Sequence, residues 1–212
     1  MTPRFRPVPL DATAALTIDG VHVQTWAGPP AHLAGGTVFG CVDQPTTVRF
    51  GGDTFTLRAG MWFVAPDGAE TEGGRGLAII VPGYRGLAQL GGPLEAVGRL
   101  RYIDGCTDTL LVSPPRRGEP CLNHLHIPAG TLQSSHTHPS VRIGVIARGR
   151  GVCVTPDGPH PLAPGLGWVI PTGVRHAFHT DDTSLDVLAC HPDTDVGPTD
   201  EDHPMLNRTI LA

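Results

Sequence analysis

The sequence predicts an all-β fold, and three features of the chain support that prediction. Gly (28 residues) and Pro (22 residues) are abundant among 212 residues, which favours short strands and tight turns over long helices. Hydrophobic residues make up 40% of the chain, enough to form a core. Short apolar and β-branched segments recur along the whole length, and Gly- and Pro-containing turns separate them, which is typical of a sandwich or barrel.

The predicted strands span most of the chain. They include residues 47–50, 54–57, 62–65, 77–81, 142–147, 151–154, 167–170 and 184–189. Turn signals such as Gly51-Gly52 separate neighbouring strands. Only residues 87–100 have the composition of a short helix, and a Gly-Gly-Pro sequence at 91–93 interrupts that segment.

Charge and cysteine usage exclude several classes of function. The net charge of −5 gives no electrostatic basis for binding nucleic acid. No apolar run approaches the length of a membrane span, and the first ten residues do not resemble a signal peptide. Five cysteines without a CxxC pair fit neither a disulfide framework nor a zinc ribbon. We therefore expect a cytoplasmic protein with reduced thiols that binds neither nucleic acid nor membranes.

A turn motif recurs in the two halves of the chain. Gly60, Pro66 and Gly68 reappear with the same spacing at positions 165, 171 and 173, so the second proline follows the first by 105 residues. This distance is close to half of the chain. It predicts a duplicated β unit with a boundary near residue 104.

Three histidines are candidate metal ligands. His136 and His138 are two residues apart, and in a strand such residues face the same side, roughly 6.5 Å apart along the backbone. His176 lies 38 residues after His138, just beyond a Pro-Thr-Gly turn, and a sheet that folds back can bring it opposite the pair. Three neutral imidazoles suit Fe, Zn, Ni, Cu or Mn and leave coordination positions open. The alternative is that these are ordinary surface histidines among the 11 of the chain.

The surroundings of these histidines resemble the cupin superfamily. Gly130, five residues, His136-x-His138 and Gly149 are similar to the first cupin motif, and the pattern from residue 165 to His176 is similar to the second. The resemblance is good over residues 110–189 and rests on the turn motif alone in the N-terminal half. It implies a double cupin of two jelly-roll β-barrels. Residues 1–104 would form a degenerate barrel without metal ligands, and residues 105–212 a metal-binding barrel with a C-terminal tail.

The repeat also predicts how many metal ions the chain binds. At an offset of 105 residues, the equivalents of the three histidines are Ala31, Leu33 and Thr71, none of which is a metal ligand here. We expect one divalent metal ion per chain in the C-terminal barrel, with Fe(II) favoured and Zn, Mn, Ni or Cu left open.

Arg142 stands where the first cupin motif usually carries a glutamate ligand. It has the same parity as His136 and His138, so we expect it to point into the barrel. A guanidinium cannot ligate a metal, and a buried cation beside a divalent ion needs an anion. We interpret Arg142 as a catalytic-site clamp for a substrate carboxylate or phosphate. The alternatives are an internal Asp or Glu partner, or a bulge that turns the side chain outward.

The remaining histidines are less informative. His124 and His126 share one face of the strand before the motif and are candidates for a general base, a support of the metal ligands or an alternative ligand pair. A solvent-facing role is equally open. We expect His179 outside the barrel, and His191 and His203 at the surface.

Among cupins, an all-histidine triad without the glutamate resembles thiol dioxygenases, gentisate-type ring-cleaving dioxygenases and the modules that form N-nitroso groups. The resemblance implies an Fe(II) dioxygenase that acts on a small anionic, carboxylate-bearing substrate. Two alternatives stay open: a zinc or manganese cupin that catalyses redox-neutral isomerisation, cyclisation or hydrolysis, and a non-catalytic small-ligand-binding cupin. The segment 192–212 is acidic and then apolar, and it packs across the barrel or onto a partner, such as a second copy in a homodimer.

Overall fold

The computed structural model of the chain describes residues 3–206 and 209–210. Its regular structure there is all-β apart from one 3-10 turn, Ile103–Gly105. The strands form two units, each built from a large and a small antiparallel sheet. The predicted fold class, all-β with two jelly-roll barrels, is confirmed. Within the described residues, no helix is both long and apolar enough to cross a membrane.

The first unit begins after the N-terminal strand, which pairs with a strand of the second unit. The strands up to the end of this unit are β1 (Arg6–Pro9), β2 (Ala15–Ile18), β3 (Val21–Ala27), β4 (Ala31–Leu33), β5 (Thr37–Gln44), β6 (Thr46–Phe50), β7 (Asp53–Leu57), β8 (Trp62–Ala65), β9 (Ala69–Glu72), β10 (Arg75–Val81) and β11 (Gln89–Gly91). The large sheet has the order β11-β8-β5-β10-β3-β2, and the small sheet has the order β4-β9-β6-β7. Residues 87–100, considered above as a short helix, contain none.

The second unit carries the candidate metal ligands. Its strands are β12 (Leu100–Arg101), β13 (Thr107–Val112), β14 (Cys121–Ile127), β15 (Arg142–Gly149), β16 (Gly151–Thr155), β17 (Gly158–Leu162), β18 (Leu166–Ile170), β19 (Ala177–His179) and β20 (Leu185–His191). The large sheet has the order β1-β18-β15-β20-β14-β13-β12, and the small sheet has the order β17-β16-β19. The large sheet therefore takes one edge strand, β1, from the start of the chain.

The strand order repeats between the two units. In the first large sheet the run is β8-β5-β10-β3-β2, and in the second it is β18-β15-β20-β14-β13. These runs are equivalent position by position, which supports the duplication inferred from the turn motif. The domain ranges 1–104 and 105–212 stay a prediction, and two strands that precede residue 104, β1 and β12, pair within the second sheet.

The core lies in three layers. Buried residues of both large sheets, such as Phe39, Leu77, Leu122 and Ile143, form one cluster between the units. A second cluster fills the first barrel and a third fills the second barrel. Both large sheets are therefore buried on both of their faces. In β15, position 144 must be glycine, because a Cβ there would lie 2.1 Å from the Leu188 carbonyl oxygen.

Candidate metal centre

The backbone brings the three histidines together through one antiparallel bridge. His136 and His138 lie in the extended connection between β14 and β15, and His176 directly precedes β19. The amide of His136 donates to the His176 carbonyl at 2.9 Å, and the His176 amide donates back at the same distance. The His136–His138 segment is therefore not a regular strand, as expected from sequence, but its extended backbone still turns both rings to one side.

The three rings converge on a common point. One ring nitrogen from each histidine lies within 4.8 Å of the other two, and the ring centroids are 4.5–5.1 Å apart. Nδ1 of His136 lies 2.8 Å from the Ser134 carbonyl oxygen, and Nδ1 of His176 lies 2.9 Å from the Val174 carbonyl oxygen. A carbonyl oxygen only accepts, so both Nδ1 atoms carry the proton and both Nε2 lone pairs are free for a metal ion.

The electrostatic environment keeps the imidazoles of His138 and His176 neutral. Burial lowers the pKa of His138 to about 3, and the charges of Arg142, His176 and His136 act in the same direction. Burial likewise lowers the pKa of His176 to about 4. Neutral imidazole is the form that binds metals. Three imidazoles with one ring nitrogen each turned to a common centre fit a divalent ion with open coordination positions.

A cavity of about 260 Å³ adjoins the three rings. Its apolar wall comes mainly from Leu125, Trp168, Ile170, Phe178 and Ala189. Its polar groups come from Arg101, Tyr102, Asp108, Asn123, Gln133, Arg142 and His191. A mainly apolar cavity with a few polar groups is the usual form of a small-molecule site.

Arg142 lies half-buried in the cavity wall. Its Nη1 donates to the Ser140 and Val141 carbonyl oxygens, each at 3.1 Å, and to the Ser140 hydroxyl. Its Nε is buried and has no hydrogen-bond partner. Among the described residues, no Asp or Glu oxygen lies within 4.0 Å of the guanidinium. The β15 irregularity lies further along, between Ile146 and Arg148, so it does not turn Arg142 outward.

Comparisons with known proteins agree with this geometry. Residues 123–190 match the family model of the cupin domain. A cupin 2 conserved barrel domain protein from Leptotrichia buccalis superposes with a TM-score of 0.59 over 89% of this chain and 96% of its own, at 14% identity. The chain has the cupin fold. No curated protein matches the sequence.

Two further solved structures have a similar fold. The protein Ylba from E. coli superposes with a TM-score of 0.58 over 94% of both chains, at 16% identity. A salicylate 1,2-dioxygenase from Pseudaminobacter salicylatoxidans superposes with a TM-score of 0.61 over 85% of this chain and 76% of its own, at 12% identity. At such identities the likeness shows the fold alone.

His124 and His126 lie away from the cupin cavity. Both side chains are buried and point to the opposite face of β14, whereas Asn123 and Leu125 line the cavity. His124 Nε2 and His126 Nδ1 lie 2.7 and 2.9 Å from one carboxylate oxygen of Asp186. The interpretation of this pair as catalytic groups or alternative ligands is therefore corrected: alternation along the strand turns both rings away from the three-histidine centre.

Asp186 anchors this second cluster. Arg148 Nε donates to its other carboxylate oxygen at 3.0 Å. Burial raises the pKa of Asp186, but the hydrogen bonds from His124, His126 and Arg148 outweigh burial and hold the pKa below its ordinary value. The cluster is thus an internally satisfied ionic group between the two units.

Sequence reasoning missed two parts of the cavity. His191, expected at the surface, ends β20 and lines the cavity with its ring centroid 6.4 Å from that of His138. It shares the parity of Ala189, so extending the predicted strand by two residues would have found it. The connection between the barrels, including Leu100 and Tyr102, also forms part of the wall. His179 does not line this cavity, and His203 is exposed, both as expected.

The first barrel has the equivalent backbone pairing but lacks metal-ligating side chains at those positions. Ala31 pairs with Thr71, in the place where His136 pairs with His176 in the second barrel. Leu33 and Thr71 are fully buried, at 0% exposure. Among the described residues, the three-histidine group is the one cluster with metal-ligand spacing, so the offset of 105 residues identifies equivalent positions correctly.

Proposed function

We propose that this chain is a metal-dependent cupin enzyme, a dioxygenase that binds Fe(II) and acts on a small carboxylate-bearing substrate. The observation that carries the proposal is Arg142. In the described residues no carboxylate oxygen lies within 4.0 Å of its guanidinium, and Asp193 reaches it only through the Ser140 hydroxyl. Arg142 lies in the wall of the cavity that the three imidazoles face. A half-buried cation beside a divalent ion biases the cavity toward an anion.

His136 and His176 would hold the metal ion through their Nε2 atoms, and His138 would contribute one ring nitrogen. Carbonyl oxygens fix the tautomers of two of these rings, which preorganises them for binding. A ferrous ion at this position supplies open coordination sites and redox chemistry with dioxygen.

Arg142 orients the substrate. Its Nη1 is engaged by the Ser140 and Val141 carbonyl oxygens, which fixes the plane of the guanidinium. Its Nη2 group, which makes no hydrogen bond in the described part of the chain, is then the donor for a substrate carboxylate. The apolar wall around Trp168 and Phe178 contacts the body of the substrate and excludes water.

Two other polar groups shape the cavity. The Asp108 carboxylate accepts a hydrogen bond from Asn123 Nδ2 at 2.6 Å, and burial raises the pKa of Asp108. Burial, reinforced by Arg142 and His138, lowers the pKa of His191 to about 3. A neutral imidazole both donates and accepts hydrogen bonds. His191 would therefore form hydrogen bonds with the substrate, in a cavity that His124 and His126 do not line.

At least one protein of similar fold, the salicylate 1,2-dioxygenase described above, is a dioxygenase. The alternative is a zinc or manganese cupin with redox-neutral chemistry, because three imidazoles also suit those metals. Metal identity and oxygen consumption separate the two.

The test is elemental analysis of the purified protein, followed by oxygen uptake of the iron-loaded protein with a panel of small carboxylic acids. We expect about one iron per chain and oxygen uptake with at least one acid, lost in Arg142→Met. Turnover of an acid without oxygen by a zinc- or manganese-loaded protein would favour the alternative. Binding of an acid without turnover under any metal would contradict both enzymes and indicate a ligand-binding cupin.

A further inference from the structure

The connection between the two barrels contacts the loop that carries the metal ligands. Leu100 and Tyr102 line the cavity, and the Tyr102 amide donates to the Cys106 carbonyl at 2.8 Å, which closes a tight turn. Inside this turn Asp104 has a left-handed backbone, with φ 55° and ψ 36°. Residues with a Cβ adopt this conformation at an energetic cost, so its presence at a site invites a search for what the side chain does.

The Asp104 carboxylate holds Ser134. It accepts a hydrogen bond from the Ser134 amide at 2.6 Å and another from the Ser134 hydroxyl at 3.2 Å. The Ser134 carbonyl in turn accepts the Nδ1 proton of His136 at 2.8 Å. A continuous chain of hydrogen bonds therefore runs from the inter-barrel connection to one metal ligand.

We propose that Asp104 is a positioning residue for His136 and acts through Ser134. Backbone hydrogen bonds hold the loop on either side of Ser134. The Gln133 amide donates to the Phe178 carbonyl oxygen at 3.3 Å, and the His136 amide donates to the His176 carbonyl oxygen at 2.9 Å. Ser134 lies between these two points, and Asp104 fixes its amide and its hydroxyl, and through them the position of the residue from which the anchoring carbonyl extends. Without Asp104, the carbonyl that anchors the imidazole loses its own restraint, and the ring must be ordered when the metal binds.

His176 provides an internal comparison. Its Nδ1 also meets a backbone carbonyl, that of Val174, but the Val174 amide donates to the Pro171 carbonyl at 3.1 Å within the same turn. That anchor is held by its own backbone and needs no distant side chain. Only the His136 anchor depends on a residue from the connection between the barrels. The inference rests on the metal-binding part of the proposed function and not on the reaction.

The test compares Asp104→Gly with Asp104→Asn. Glycine removes both acceptors and accepts the left-handed backbone without strain. Asparagine also tolerates that backbone and keeps one oxygen acceptor. Co(II) binding to the full-length, metal-free protein is measured by calorimetry and by the visible absorption of bound Co(II), and the melting temperature of each metal-free variant is recorded. An exposed turn residue of the same barrel, Asp157→Gly, serves as the matched control.

We expect Asp104→Gly to weaken Co(II) binding about tenfold, the lower end of the range for residues that orient ligands, and to alter the Co(II) spectrum. Asp104→Asn should restore most of the affinity, and the control should match the unmodified protein. Unchanged Co(II) affinity in Asp104→Gly, even with a lower melting temperature, would overturn the proposal, as would failure of asparagine to restore it. Full Co(II) binding by His136→Ala would instead contradict the metal site itself, so the two failures are distinguishable.

Discussion

Replacing Arg142 by methionine tests the substrate clamp. Methionine keeps much of the side-chain length and removes the charge and the donors. Removing one partner of a buried charged hydrogen bond costs about 2–5 kcal/mol, and Arg142 is half-buried, so the lower part of this range applies. A loss of about 2–3 kcal/mol corresponds to roughly 30- to 150-fold weaker binding of a carboxylate.

The assay uses a matched pair of probes, salicylate and salicylamide, titrated calorimetrically into the metal-loaded protein. The two molecules share the ring and differ in the charged group. We expect Arg142→Met to weaken salicylate binding by the factor above and to change salicylamide binding little. Arg142→Lys should give an intermediate loss of about tenfold with normal metal content, because it keeps the charge and lacks the planar fork. Arg101, an exposed arginine at the same cavity, provides the control variant Arg101→Met.

Two results would contradict the role of Arg142 as a carboxylate-binding residue. One is an equal loss for the acid and the amide, which would mean that Arg142 supports the shape of the cavity and does not bind the carboxylate. The other is an Arg142→Lys protein that loses its metal and still binds salicylate normally.

Three further predictions concern stability and the cavity. Asp186→Asn should lower the free energy of unfolding by about 2 kcal/mol in urea titrations, because its buried donors lose a charged acceptor. The pKa of Asp186 lies below the ordinary value of 3.8, so this contribution is complete above that region and is lost as the pH falls through the native pKa; a difference between variant and parent that grows as the pH falls below 3.8 would contradict it. Gly144→Ala should cost about 2 kcal/mol by crowding the Trp168 ring and neighbouring backbone, and an unchanged melting temperature would disprove the close contact. His191→Phe should keep the metal, since His191 is not part of the three-histidine cluster, and should weaken salicylate binding. Loss of the metal would mean that His191 is a metal ligand.

Much of the fold follows from local sequence. The predicted strands, such as 62–65 and 142–147, overlap β8 and β15, because β-branched runs bounded by Gly and Pro leave few other choices. The repeated turn motif identified equivalent positions well enough to align Ala31 and Thr71 with two metal ligands. The sequence predicted that the three histidines converge, because they occur in the two cupin-like motifs, whose backbone segments are neighbours in the fold.

The choice between two buried faces was not predictable from the sequence. Alternation places His124 and His126 on one face of β14 and Leu125 on the other, but both faces of this sheet are buried, one against the first unit and one against the cavity. Period-two patterns cannot tell which face is which. The sequence also gives no local signal that Asp104 reaches Ser134, because that contact depends on how the connection between the barrels folds back.

The proposed function depends on the binding of one metal ion to the three histidines of the second barrel. The chain offers a matched control, since His124 and His126 form a second HxH pair on the opposite face of the sheet. The decisive measurement is the metal-to-chain ratio, determined by elemental analysis on folded protein after reconstitution, for His136→Gln/His138→Gln beside His124→Gln/His126→Gln. We expect about one metal ion per chain in the unmodified protein and in the control pair, and none in the first variant. A ratio near one in His136→Gln/His138→Gln, or loss of metal only in the control pair, would contradict it.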